Sequence, residues 1–169
     1  MPRIQPPIDL GSWITRRAAV TPNRPAITFD GATRTFGQLA DEIDRLAGAL
    51  SDGGVREGDR VAYAGLNHPA FLVTLFACGR LGATFVPLNF RLSGAELAYI
   101  IGDAGARTVI ADAGLAAVLD TVRDDLDVTR FIALSPVDGW ESYDAAVRDS
   151  EPIAAPLHPG VDDVAVIMY

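Results

Sequence analysis

Arg91 is the residue whose type and setting best suit it to chemistry. It stands in a loop directly after the β-prone run Thr84–Leu88, and its neighbours Asn89, Ser93 and Gly94 are turn and helix-entry types. A lone guanidinium there is fitted to a bidentate contact with a phosphate or a carboxylate. The same residue also reads as a surface arginine that covers the helix it precedes or pairs with Glu96. Tyr169 is the second candidate, although an aromatic residue at the end of a strand is usually core packing. His68 and His158 are each followed by proline and share no metal-ligand spacing, so capping or surface roles suit both. Cys78 has no histidine or cluster of cations beside it and reads as a small apolar residue on a buried helix. Asp162 and Asp163 precede a strand and read as solvated. Neither G-x-G-x-x-G nor G-x-x-x-x-G-K-S/T occurs. The sequence therefore offers no complete catalytic set and no metal site.

The elements that must hold Arg91 can be read in order. Met1 to Gly11, with Pro2, Pro6 and Pro7, reads as a surface arm. Ser12 is placed to cap a short helix through Val20. Ala26–Phe29 and Thr33–Phe36 flank Asp30-Gly31, a hairpin signal. Thr35 is placed to cap a helix whose Phe36, Leu39, Ile43, Leu46 and Leu50 form one apolar stripe, with Asp41, Glu42, Asp44 and Arg45 turned mostly to water. Gly53-Gly54 ends it.

From there strand and helix alternate. Strands are predicted at Val61–Leu66, Thr84–Leu88, Arg107–Ala111 and Thr129–Leu134, at nearly even spacing. Helices are predicted from Asn67 or His68 to Arg80, from Ser93 or Gly94 to Gly102, and around Leu115–Val122. The apolar residues of the helix at 71–76 cover every side, so it is expected to be buried on two faces. Pro87 cannot donate to a ladder, so its strand should stop near Leu88. Trp140–Val147 reads as a short helix, Ser150–Asp163 as a crossing loop, and Val164–Tyr169 as a final buried strand. Right-handed crossovers make this an α/β fold: a layered, mainly parallel sheet with helices on both faces plus a small N-terminal β-hairpin. Ligands of such sheets bind beyond the carboxyl ends of the strands.

The 169 residues suffice for one substantial core, and the net charge of −8 with scattered basic residues excludes a nucleic-acid footprint. One cysteine excludes an internal disulfide and fits a reducing compartment. Prolines stand where a signal peptide needs an apolar run, and Ala70–Cys78, the most apolar stretch, is far short of a membrane span. A cytoplasmic protein is expected, with peripheral membrane contact and a homodimer left open. Because an apolar run ends the chain without a polar tail, the 169 residues read as the front part of a longer protein.

Three stretches together resemble the adenylate-forming superfamily, the acyl-CoA synthetases and their relatives. LGATFVPLNFRLSGAEL, Leu81 to Leu97, resembles its second core motif. TFGQLADEIDRLAGAL, Thr35 to Leu50, resembles the first, with Phe36 in the place of the usual tyrosine. VAVIMY, Val164 to Tyr169, resembles the strand that enters the phosphate-binding loop. The resemblance implies that residues 1–169 are the N-terminal part of the large AMP-binding domain, ending just before that loop. It implies an acid–thiol ligase, an acyl-CoA synthetase that uses ATP, Mg2+ and CoA on a carboxylic or fatty acid. The segment itself is expected to be inactive, to bind none of these alone, and to have the remainder of the chain as its partner. Asn89, Arg91 and Leu92 match the N-x-R-L pattern whose arginine meets the phosphate-bearing end of CoA, and Phe90 stands where proline is common. Tyr169 is implied to lie near the adenylate. Two other readings stay open: an acyl-AMP ligase that hands its product to a carrier protein, and a non-enzymatic α/β interaction module.

Overall fold

The computed structural model describes residues 10–153 and 163–169. Leu10–Ser12 forms a 3-10 turn that leads into helix α1, Trp13–Val20. Strands β1, Pro25–Phe29, and β2, Ala32–Thr35, make an antiparallel hairpin. Asp30 and Gly31 join them with φ of 47° and 75°, the paired positive values of a turn whose twist matches its strands. Thr35 then caps helix α2, Phe36–Asp52, through a reciprocal box: its hydroxyl accepts from the Gln38 amide at 3.3 Å, and its own amide donates to Gln38 Oε1 at 2.9 Å. Leu39, Ile43, Leu46 and Leu50 are buried along one face of α2, as the stripe predicts.

The main sheet is parallel throughout, in the order β4-β3-β5-β6-β7. Its strands are β3, Arg60–Ala64; β4, Thr84–Leu88; β5, Thr108–Ala111; β6, Arg130–Ala133; and β7, Glu141–Ser142. Helices α3, Pro69–Leu81, α4, Gly94–Ala104, α5, Ala113–Asp120, and α6, Tyr143–Asp149, connect or follow them. Side chains alternate between two cores. Val61, Tyr63, Phe85, Ile110 and Ile132 face α2 and α3. Ala62, Ala64, Val86, Val109 and Ala111 face α4 and α5. A parallel sheet needs both faces covered, and small alanines let α4 and α5 approach closely. The chain runs from β3 outward to β4, then α4 returns it past β3 to β5. The strand order therefore reverses at β3, which makes the carboxyl ends of β3, β4 and β5 the place for a ligand. No helix of the described residues is long and apolar enough to cross a membrane.

Five expectations need correction. The final run is no full strand: Phe85 and Val166 form a single parallel bridge, with Phe85 N–H donating to Ala165 O at 2.9 Å and Ile167 N–H to Phe85 O at 3.0 Å. The next outward bond of β4 would need an amide hydrogen from Pro87, which has none. Val166 and Ile167 reach the two cores, while Val164, Met168 and Tyr169 are 60%, 78% and 57% exposed. Glu141–Ser142 is a short edge strand, so the helix expected from Trp140 starts at Tyr143 under a Ser142 cap. The edge strand pairs with β6, and Arg130 ties it down, its fork holding both Glu141 carboxylate oxygens at 2.8 Å and its Nη1 donating to Ala49 O at 2.6 Å.

Asp44 does not face water. It accepts from Arg80 Nε at 2.7 Å, and Arg80 is 7% exposed; burial pushes the Asp44 carboxyl up even against that cation. Leu72 breaks the all-round burial expected of α3, being exposed. Gly11 belongs to no surface arm, because it is buried against Gly79 in α3, where a Cβ on Gly11 would lie 2.5 Å from the Gly79 carbonyl carbon and oxygen. Residues 1–9 of the expected arm, and most of the loop expected at Ser150–Asp163, lie outside the described residues.

These contacts set opposite outcomes for two glycine substitutions. Gly11→Ala forces backbone against backbone and should lower stability by about 1–3 kcal/mol. Gly102→Ala, in an exposed position of α4 with nothing within 4 Å of the added methyl, should raise it by about 0.5–1 kcal/mol. Denaturant unfolding of the two variants checks both signs.

Candidate functional site

The site is built from the three turns that leave β3, β4 and β5. After β4 the chain folds tightly: Leu92 N–H donates to Asn89 O and Arg91 N–H donates to the Asn89 side-chain oxygen, both at 3.1 Å. Such an Asx turn mimics a backbone turn and fixes the path of the main chain. Ser93 then caps α4 in a second reciprocal box, its hydroxyl accepting from the Glu96 amide at 3.4 Å. Glu96 Oε2 accepts from Ser93 N–H at 2.8 Å and from Ser93 Oγ at 2.7 Å, and the Ser93 amide bond holds the Glu96 carboxyl below its usual value.

That box decides one question left open by the sequence. Glu96 is engaged with Ser93, and Arg91 takes part in no ion pair among the described residues. The Arg91 guanidinium instead lies 5.2 Å from the centroid of the Phe90 ring, and both residues are exposed. A positive charge with free donors thus stands beyond the carboxyl end of β4.

Tyr169 ends the final run beside β4. Its hydroxyl donates to Asp103 Oδ2 at 2.6 Å, a bond that raises the phenol above its ordinary value. Its ring is exposed rather than core-packed, and it lines an open groove of about 440 Å³ with Leu92, Ala95, Tyr99 and Ile100. The Arg91 turn and the end of the final run therefore border one surface, sharing Leu92 and Tyr169, while the Tyr169 hydroxyl is committed to the last turn of α4.

The turns after β3 and β5 are tied by a residue that sequence reasoning missed. Asp112 caps α5, its Oδ1 accepting from Leu115 N–H at 2.8 Å, and its Oδ2 accepts from Leu66 N–H at 2.9 Å. An Asp three residues before the first apolar residue of a helix is a readable cap signal, but its second bond crosses from another strand and leaves no local trace. Beneath it the Tyr63 hydroxyl is buried, with no hydrogen-bond partner among the described residues. Burial, with the Asp112 charge second, pushes that phenol well up. Gly65 is tightly enclosed there, since a Cβ would meet the Tyr63 hydroxyl at 3.1 Å and Asp112 Oδ2 at 3.3 Å.

His68 caps α3, its Nδ1 accepting from Ala70 N–H at 3.1 Å, ahead of Pro69 in the first turn. The Phe29 ring meets it edge-on at 5.2 Å. Cys78 is fully buried and its thiol is pushed up to about 12 by burial, so it is no nucleophile. His158 and Asp162 lie outside the described residues. Among the described residues no three His, Cys, Asp or Glu side chains gather to hold a metal ion.

Residues 14–169 match the family model described as AMP-binding enzyme. The chain is 43% identical over 160 residues to a feruloyl-CoA synthase of an Amycolatopsis species, covering 95% of this chain and 30% of that protein. It is 41% identical over 155 residues to an indoleacetate–CoA ligase of Aromatoleum aromaticum, covering 91% and 30%. Its structure superposes on the N-terminal domain of FACL13 from Mycobacterium tuberculosis with a TM-score of 0.87 at 30% identity, covering 96% of this chain and 42% of that one. The chain thus spans about a third of the length of the curated relatives it matches.

The His68 cap makes stability depend on pH. Its Nδ1 can accept only when unprotonated, and burial followed by the Arg34 charge holds its pKa below the usual 6.5. The unfolded chain takes up the proton first as pH falls below 6.5, so the contribution is complete above that value and is lost between it and the depressed folded value. His68→Asn keeps a capping oxygen without the titration. Urea unfolding at pH 7.5 and pH 5.5 should show a smaller loss of stability for the variant than for the parent.

Proposed function

The chain belongs to the AMP-binding enzyme family, and we propose that it is the front part of an ATP-dependent acid–CoA ligase in which Arg91 helps to hold the phosphate-bearing end of CoA. The ligase joins a carboxylic acid to AMP with release of pyrophosphate. It then transfers the acyl group from the adenylate to the CoA thiol with release of AMP. One observation carries the role of Arg91: its guanidinium is exposed, without an ion pair among the described residues, on a turn pinned by Asn89 at the carboxyl end of β4. An unspent bidentate donor at that edge suits an anionic ligand.

Residues 1–169 supply scaffold and the CoA-facing turn. The backbone donors, lysine and Mg2+ site that neutralise the phosphates of ATP are assigned to the remaining length that the relatives have beyond the matched segment. The acid is assigned to the carboxylic acids as a class, fatty or aromatic, and the reaction to the cytoplasm. Tyr169 is placed beside the adenylate as a lining side chain. Its ring is exposed for that role while its hydroxyl is bonded to Asp103.

Arg91→Ala in the full-length protein should raise the KM for CoA by about tenfold, as loss of one charge-assisted contact to phosphate, and leave the KM for ATP where it was. An unchanged KM for CoA overturns the assignment. Purified residues 1–169 should release no pyrophosphate from ATP with any carboxylic acid, and release would move the adenylating residues into this segment.

A further inference from the structure

Phe90 is an exposed aromatic ring, 44% accessible, that belongs to neither buried core. Folding therefore gives it no evident work, yet the Arg91 guanidinium carbon lies 5.2 Å from its centroid. That distance is inside the range over which the ring quadrupole attracts a cation. A guanidinium carries five N–H donors, so a contact of its carbon with one ring leaves donors over for a phosphate.

The main chain beneath is already fixed by the Asn89 side-chain bond to Arg91 N–H and by the Leu92 to Asn89 turn bond, both at 3.1 Å. Only the arginine side chain retains freedom, and a long side chain loses it at a cost when it binds. A carboxylate partner would hold the arginine too, but would cancel the charge that a phosphate needs. Glu96, the nearest acid in sequence, is diverted to Ser93.

We infer that Phe90 is a positioning residue: its ring contact holds the Arg91 side chain in place before CoA arrives, so that the phosphate meets a preorganised donor. This rests on the CoA reading of Arg91 and deepens it. Phe90 itself touches no reacting atom. Its effect passes through Arg91 and falls on the KM for CoA rather than on kcat.

Steady-state kinetics of the full-length protein test it. Phe90→Leu, which keeps an apolar side chain without the ring, should raise the KM for CoA about threefold, the ratio expected of an exposed cation–ring contact. Phe90→Tyr should restore the parental KM, and Phe90→Leu should add nothing in an Arg91→Ala background. If Arg91→Ala raises the KM for CoA but Phe90→Leu does not, the positioning role is wrong and the CoA reading stands. If Phe90→Leu raises the KM equally with or without Arg91, or lowers kcat in a way that Phe90→Tyr fails to rescue, the ring acts by another route and the role is again wrong. If Arg91→Ala leaves the KM for CoA unchanged, the CoA reading falls and this inference falls with it.

Discussion

Pro87 has no amide hydrogen, and the carboxyl edge of this sheet takes its form from that absence. The backbone groups of β4 alternate in direction: Thr84, Val86 and Leu88 bond toward β3, while Phe85 and Pro87 point outward. Phe85 uses both its groups on the final run, donating to Ala165 and accepting from Ile167. The next donor along that side is missing, so the ladder cannot extend. Past that point the final run and the turn after β4 are free to part. The one carries Tyr169 back toward α4, and the other carries Arg91 out into solvent.

The free charge of Arg91 depends equally on what its neighbours are doing. An exposed arginine beside an exposed glutamate would ordinarily pair with it at small gain. Here the glutamate serves the helix: the N–H groups at the start of α4 need partners, and the Ser93–Glu96 box supplies two, Ser93 Oγ for the Glu96 N–H and Glu96 Oε2 for the Ser93 N–H. The same economy recurs in the neighbouring turns. Asp112 caps α5 with one oxygen and holds the turn after β3 with the other. His68 caps α3 with its unprotonated nitrogen. Local capping consumes the acids and the histidine of this edge, which leaves the arginine as the group still available to a ligand.

Most of the architecture was legible in the sequence because it rests on local physics. Asp30-Gly31 signals a hairpin, Thr35 and Ser93 are cap types at helix starts, and apolar runs of strand length alternate with amphipathic stripes. What was not legible is long-range pairing. Nothing near Gly11 says that Gly79 will press against it, and nothing near Asp44 says that Arg80 will desolvate it. Glu141 lies in a strand paired with β6, where Arg130 reaches it. The final run misled for a related reason. Its apolar character is that of a buried strand, but burial needs a neighbour on each side, and β4 supplies one. At the candidate site, the sequence singled out Arg91 by type and spacing; it missed Asp112 and Tyr63, whose roles are defined by partners in other strands or by the lack of one.

The turn after β4 shows how main-chain stiffness and side-chain function divide between neighbouring residues. In the motif that this turn resembles, a proline before the arginine would fix φ and stiffen the loop. Phe90 gives that up, and its own backbone is free of such a restraint. Asn89, which belongs to that same pattern, stiffens the turn by other means: its side chain accepts from Arg91 N–H and its carbonyl accepts from Leu92 N–H, bracketing the phenylalanine on both sides. With the backbone held that way, position 90 is released from a conformational duty and its side chain can act. Proline offers a guanidinium no π face, whereas the phenyl ring does. Rigidity in the main chain and a stacking surface for the arginine are therefore separate requirements, met by Asn89 and by Phe90 in turn.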